Sequence, residues 1–235
     1  MKQPYHPPTL RYLGSVRDLA AITAILKEYT PMTDVLTLRE MQAFAATILE
    51  KATAFQWSLQ GFGMFRLYLS KDVRLHIWDD RFRVADVTDW HTHPWHFDST
   101  VLCGNLRNER AKVDPCRQIE GRFIDTPNFL SHKIHCGEGG GLKGEPTPVR
   151  LDIISAETYF TGQSYHQRAD EIHRTTYTNG TITVCKRQFL LNTEEAYVYY
   201  PIGTPWVSAE PRRATEVEVM TMRELALVRL KECLI

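Results

Sequence analysis

The stretch DWHTHPWHFDSTVLCGNL, residues 89–106, brings three histidines and two tryptophans together within ten positions. In a strand, residues two apart share a face, so His91 and His93 point the same way and can both reach one ion. His96 lies three positions beyond His93 and is expected on the opposite face. Imidazole is the commonest metal ligand in proteins, so this crowding predicts a metal site, although histidines also satisfy one another in a core.

Two imidazoles supply only half of such a site, so a third ligand is expected from a neighbouring strand. His173, in DEIHRTT just ahead of the TNGT turn, is the residue we predict. His96 and His166 are weaker alternatives that can replace one of the three. Three roles stay open for Asp98: a fourth ligand, an acceptor for a ligand histidine, or an ordinary turn carboxylate. The second role is favoured because metal-bound histidines usually donate their other ring nitrogen to such a group.

The elements that must position these residues are helices at the ends of the chain and strands between them. Apolar spacing predicts helices over 15–29 and 37–55, the second beginning with a Thr37–Glu40 capping box. After Gly61 the period changes to alternation, which predicts short strands. We place further strands at 98–107, 119–124, 149–154, 156–161, 172–177, 181–189 and 196–200. Their number and spacing predict a mainly β sandwich or barrel.

This pattern divides the chain into three parts. Residues 1–60 form an N-terminal helical region packed on a barrel, residues 61–205 form the barrel, and residues 206–235 form a helical tail that docks on the barrel or on a partner subunit. Within the barrel, residues 126–148 hold five glycines and three prolines. They are predicted to be a long surface excursion, such as a lid over a site.

Composition excludes several classes of partner. Lys+Arg and Asp+Glu both number 28, so bulk charge recruits neither nucleic acid nor an anionic membrane. No segment approaches the roughly 20 apolar residues of a membrane helix, and the first residues lack a signal-peptide pattern, so a cytoplasmic protein is expected. The five cysteines include no Cys-x-x-Cys pair, and most are predicted to be small buried apolar side chains in a reducing compartment.

The two histidine stretches resemble the paired motifs of cupins, G-x5-H-x-H-x3-4-E-x6-G and G-x5-P-x-G-x2-H-x3-N. His91 and His93 match the first motif, with Asp98 in the place of its glutamate. Gly162 and His173 match the second, whose proline, glycine and asparagine are replaced here. The resemblance implies a double-stranded β-helix, that is, a jelly-roll barrel, over roughly residues 60–200.

Among cupins, HTHPWHFDSTVLCGNLRNE and DEIHRTT are most similar to the thiol dioxygenases of the cysteine dioxygenase type. That family also has N-terminal helices. The resemblance implies that three neutral histidines, here His91, His93 and His173, hold ferrous iron. Another divalent metal stays open, because imidazole sites accept several such ions.

The same resemblance implies roles for other side chains. In that family an arginine on an early strand binds the substrate carboxylate; Arg66 lies at the approximate position, with Arg74 and Arg83 as alternatives. Tyr165 is expected in the cavity as an acid or hydrogen-bond donor. Because Asp98 replaces the cysteine of the animal enzymes, no cysteine–tyrosine cross-link is expected.

The sequence therefore predicts a mononuclear non-haem iron dioxygenase that acts with dioxygen on a small polar substrate, such as a thiol or an amino-acid derivative. Two alternatives share the same residues. One is a cupin that binds a metal or ligand without turnover, and the other is a cupin isomerase or lyase that uses another divalent metal. The oligomeric state stays open, and the apolar side of the terminal helix favours a homodimer.

Overall fold

The structure is a computed structural model that describes residues 36–51, 55, 57–70, 72–116, 118–119, 122–123, 125–135, 141–190 and 195–233. Its helices are α1 (Leu38–Glu50) and α2 (Glu216–Cys233). Its strands are β1 (Trp57–Gln60), β2 (Phe62–Tyr68), β3 (Val73–Arg83), β4 (Trp90–His91), β5 (Trp95–Cys103), β6 (Asn105–Pro115), β7 (Gln118–Ile119), β8 (Arg122–Phe123), β9 (Phe129–His135), β10 (Leu142–Phe160), β11 (Ser164–Gln167), β12 (Ile172–Tyr177), β13 (Thr181–Leu190), β14 (Glu195–Pro201) and β15 (Arg212–Arg213). The predicted mainly β fold class is confirmed, whereas the helix predicted over 15–29 lies outside the described residues.

The strands form two larger antiparallel sheets and a short hairpin. A seven-stranded sheet has the order β11-β5-β13-β3-β2-β1-β15, and β10-β6-β12-β4-β14-β9 close into a barrel. The β7–β8 hairpin stands apart from both. Met64 and Phe97 of the seven-stranded sheet share a buried cluster with Leu106 of the barrel, so the two sheets pack against each other as in a jelly-roll-like sandwich.

The helices cover the outer face of the seven-stranded sheet. Helix α1 begins with the predicted capping box, in which Thr37 N–H donates to Glu40 Oε2 over 2.8 Å. Phe65, Leu67 and Leu69 alternate with polar residues as predicted, and they are buried beneath α1 and α2. This alternation assigns the residues between them to the face that packs on the barrel.

Helix α2 packs through one buried stripe. Val219, Met222, Ala226 and Leu230 are buried in the same core as α1, whereas Val228 is half exposed. The tail thus docks on the sheet within the chain. Of the described helices, none is long and apolar enough to cross a membrane.

The cysteine prediction is wrong for one pair. Cys103 at the end of β5 and Cys233 at the end of α2 form a disulfide that links residues 130 positions apart. Cys185 is a buried free thiol, as predicted for most of the cysteines. Sequence spacing did not signal the pair, since only the packing of α2 on the sheet brings the two residues together.

Two predicted strand boundaries are corrected. The strand predicted over 98–107 is two strands, β5 and β6, joined at Gly104, which has a φ of 83°. A Cβ at Gly104 would lie 2.7 Å from Thr181 Oγ1, so only glycine fits this turn. Conversely, the strands predicted over 149–154 and 156–161 are one strand, β10, whose pairing with β6 shifts between Ile153 and Ser155.

The excursion predicted over 126–148 is also mostly strand. It contains β9, and β10 begins at Leu142, so much of it belongs to the wall of the closed barrel. Glycines and prolines suggested a loop, but Pro146 and Pro148 lie in β10 near the shift in its pairing with β9, an irregular stretch of ladder that tolerates proline.

Candidate metal centre

His91, His93 and His173 meet between the two sheets. One ligand atom from each lies within 4.8 Å of those of the other two. The Nε2 atoms of His93 and His173 are 2.9 Å apart, and the ring centroids of the three imidazoles are separated by 4.7–5.0 Å. Three imidazole nitrogens that converge on one point are a typical donor set for a divalent metal.

Strand pairing brings two of these residues together across a long stretch of sequence. His91 on β4 lies directly opposite His173 on β12. His93 follows the end of β4, where its N–H donates to the carbonyl of Ala169 over 3.0 Å. The alternation of side chains along β4 therefore ends at His91. The hydrogen bond from the His93 N–H to the Ala169 carbonyl fixes the position of His93 instead.

Backbone and amide oxygens orient two of the rings. The Asp89 carbonyl oxygen lies 2.8 Å from His91 Nδ1, and Asn108 Oδ1 lies 2.8 Å from His173 Nδ1. Since these oxygens can only accept, each Nδ1 carries the ring's proton and leaves Nε2 as the lone-pair donor. Asn108 in turn donates to Gln167 Oε1 over 3.0 Å, and both amides are buried.

Sequence reasoning missed these orienting groups. Asn108 lies 65 residues before His173, and it reaches the histidine because β6 pairs with β12. Nothing in the motif around His173 points to an amide on another strand. An orienting role was expected instead for Asp98, which stands in the place of the glutamate of the first motif.

The surroundings of the cluster keep the imidazoles neutral. Burial lowers the pKa of His91, and it lowers those of His93 and His173 well below the ordinary histidine value. The positive charges that neighbouring histidines would carry lower the pKa of His93 further, and His91 acts on His173 in the same way. Neutral imidazole is the form that binds metals, so the three residues fit a divalent ion.

Aromatic rings enclose the cluster. Phe62 stacks on His91 with ring centroids 5.2 Å apart, Trp95 lies 4.9 Å from His93, and Phe97 lies 5.2 Å from His93. Trp90, the other tryptophan of this stretch, packs in the separate apolar core of the closed barrel.

The structure places Asp98, His96 and His166 away from this cluster. Asp98 Oδ1 and His166 Nδ1 are 2.8 Å apart, Gln188 donates to the same carboxylate, and the rings of His96 and His166 stack with centroids 6.0 Å apart. Phe97 faces the triad, so alternation turns its neighbours His96 and Asp98 to the outer face. We call this group the outer cluster, and none of its members belongs to the group of three ligand histidines in the described part of the chain.

The arginines named from the sequence occupy different environments. Arg66 donates to Ser58 Oγ over 3.2 Å, and Arg83 donates to Asp89 Oδ2 over 3.0 Å. Arg74 is only 9% exposed, and its guanidinium lies between the rings of Tyr68 and Trp95, at 4.8 and 4.7 Å from their centroids. Its buried Nε has no hydrogen-bond partner in the described part of the chain. Trp95 therefore contacts both this cation and His93.

Tyr165 lies behind the aromatic wall. It is buried, with its ring 6.1 Å from Phe97 and 4.8 Å from Tyr159. Burial raises the pKa of its hydroxyl, partly opposed by a hydrogen bond with Ser99. The phenol is thus protonated at neutral pH, and it contacts the triad through Phe97.

No protein-family profile matches the chain, and no curated protein matches it. One solved structure with some similarity is hydroquinone 1,2-dioxygenase PnpCD in complex with Cd2+ and 4-hydroxybenzonitrile. It is 15% identical, covers 60% of this chain and 69% of its own, and superposes with a TM-score of 0.32. At this identity and TM-score the likeness indicates nothing about the function of this chain.

Proposed function

We propose that this protein is a mononuclear non-haem Fe(II) dioxygenase of the cupin type. It acts with dioxygen on a small polar substrate, such as a thiol or an amino-acid derivative. The observation that carries the proposal is the convergence of His91, His93 and His173, with ligand atoms within 4.8 Å of one another, inside a wall of aromatic rings. Iron bound there would supply adjacent coordination positions for substrate and dioxygen.

The charge of the site favours an anionic substrate. Three neutral imidazoles do not offset the charge of a divalent ion, so a deprotonated group such as a thiolate or carboxylate is attracted to it. Arg74 adds a buried positive charge beside Trp95, which also contacts His93, and its Nε has no hydrogen-bond partner among the described residues. We assign the binding of the substrate's anionic group to Arg74 rather than to Arg66, whose side chain already bonds to Ser58 and Gln60.

The other residues prepare the site. Asp89 and Asn108 hold the Nδ1 protons of His91 and His173, which keeps both Nε2 atoms aimed at one point. Phe62, Trp95 and Phe97 exclude bulk water from that point. Tyr165 is a positioning residue that supports Phe97 from behind.

Metal analysis and oxygen consumption together test this function. The protein is purified anaerobically, its metals are measured by mass spectrometry, and the Fe(II)-loaded form is screened with thiols and amino acids in an oxygen electrode. We expect about one iron per chain and substrate-dependent oxygen uptake. Metal binding with no uptake would identify a non-catalytic cupin or one using another divalent metal, and failure to bind any divalent ion would refute the proposal.

A further inference from the structure

Another buried histidine, His76, lies outside the triad and has no role in the proposed chemistry. His76 on β3 is 8% exposed, and its Nε2 is buried without a hydrogen-bond partner among the described residues. A buried polar atom left unpaired destabilises the fold, so a ligand or water is expected to bind this nitrogen. None of the roles in the proposed iron chemistry uses this nitrogen.

Strand alternation places His76 on the same face of β3 as Arg74. Leu75 and Ile77 point the other way and are buried under the helices. On the inner face, His76 lies edge-on to Trp78 with ring centroids 6.1 Å apart, and Arg74 contacts Trp95. Trp95 and Phe97 both contact His93, and Trp78 shares a buried cluster with Phe97, so Arg74 and His76 lie on the side of the metal centre.

His76 is held as a neutral hydrogen-bonding group. Burial lowers its pKa well below the ordinary value, and the nearby guanidinium groups of Arg74 and Arg66 add to this shift. A neutral imidazole pairs with a hydroxyl or an amide better than with an anion that Arg74 already attracts. The two residues therefore offer different chemistry to one molecule: a cation at Arg74 and a neutral donor or acceptor at His76.

We infer that His76 is a specificity-determining residue that binds a neutral hydroxyl or amide group of the substrate. Residues two apart in a strand have Cα atoms roughly 6–7 Å apart on one face, so a single small substrate can reach Arg74 with its anionic group and His76 with this neutral group. The inference rests on the proposed function only in placing the substrate beside the triad. It narrows the substrate class to small bifunctional anions, such as hydroxy or amido carboxylates.

Binding measurements without turnover test this inference separately from the dioxygenase proposal. The probes are ω-hydroxycarboxylates of increasing length, each compared with the alkyl carboxylate in which a methyl group replaces the hydroxyl. Isothermal titration calorimetry on metal-free and Zn2+-loaded protein gives the affinities. We expect the hydroxyl to raise affinity about tenfold at the matching length, and less at shorter and longer lengths.

Variants at His76 identify the source of this gain. His76→Phe should abolish the advantage of the hydroxyl, whereas His76→Gln should keep part of it because the amide still forms a hydrogen bond. His96→Phe, the same change in the outer cluster, should leave the advantage intact. An advantage that persists in His76→Phe, or its absence from the wild-type protein, overturns the inference, while oxygen uptake and metal content still decide the proposed function.

Discussion

The same ten residues contribute to two histidine clusters with opposite properties. His91 and His93 join His173 between the sheets, whereas His96 joins His166 and Asp98 on the outer face. The inner cluster is oriented by uncharged oxygens and lined by aromatic rings. The outer cluster is partly exposed, contains a carboxylate, and borders a cleft of about 320 Å³ that Lys186 also lines.

The difference shows that the number of histidines in a motif does not by itself make a metal site. Burial removes water from the inner imidazoles and keeps them neutral, and one ring nitrogen of each lies within 4.8 Å of those of the other two. The outer imidazole of His166 instead pairs with Asp98 at the surface, where solvent screens the interaction. Metal content and metal affinity should each distinguish the inner cluster from the outer one, and further predictions concern the charge inside the inner site and its stability in acid.

The largest effect is expected from removal of a triad histidine. His91→Ala and His173→Ala should each reduce bound iron from about one per chain to none detectable, since two imidazoles do not hold the ion. His96→Ala and His166→Ala should retain the wild-type metal content, measured by mass spectrometry of desalted protein. Loss of metal from the outer variants would erase the distinction between the clusters.

The second-largest effect on metal binding is expected from loss of a group that orients a ligand histidine. Asn108→Leu removes the acceptor of His173 Nδ1–H while keeping the branched shape and the number of heavy atoms, so metal affinity should fall about 10–100-fold. Asp98→Asn, which changes the outer cluster, should leave affinity unchanged in the same competition assay against a chelating dye. Equal losses in both variants would show that Asp98 orients a ligand after all.

Loss of the Arg74 charge is expected to have a smaller effect, on the binding of an anionic substrate. Arg74→Gln should raise the KM for an anionic substrate about tenfold or more, because a charge-assisted hydrogen bond is lost. Arg66→Gln serves as the matched control, since Arg66 bonds to Ser58 and Gln60, and its KM should change little. If instead Arg66→Gln shows the larger change, the anion binds at Arg66.

Lowering the pH should reduce the unfolding free energy of the metal-free protein because of the buried histidines of the inner cluster. Histidines of the unfolded chain become protonated as the pH falls through about 6.5, whereas the folded inner cluster has lowered pKa values. The unfolding free energy is therefore highest above about pH 6.5, as far as these groups are concerned, and it decreases as the pH falls below that value. Each inner histidine contributes at most about 1.4 kcal/mol per pH unit to this slope. Urea denaturation from pH 7.5 down to about pH 5 should show a shallower dependence of the unfolding free energy on pH for His93→Gln than for the wild-type protein.

Local sequence patterns determined much of the framework. The Thr37–Glu40 pair formed the predicted capping box, and Phe65, Leu67 and Leu69 faced the core as their alternation indicated. The mainly β class followed from the same alternation. These features depend on neighbours within a few positions, where the geometry of helices and strands leaves few choices.

Tertiary structure decided the partners of the functional side chains. The sequence singled out His91, His93 and His173 as a group, but only the pairing of β4 with β12 brought His91 opposite His173. Likewise, Asn108, Arg74 and the Cys103–Cys233 disulfide acquired their neighbours from packing across many residues. Residue type and spacing specify which groups are available, whereas burial and long-range strand register specify which of them meet and in what protonation state.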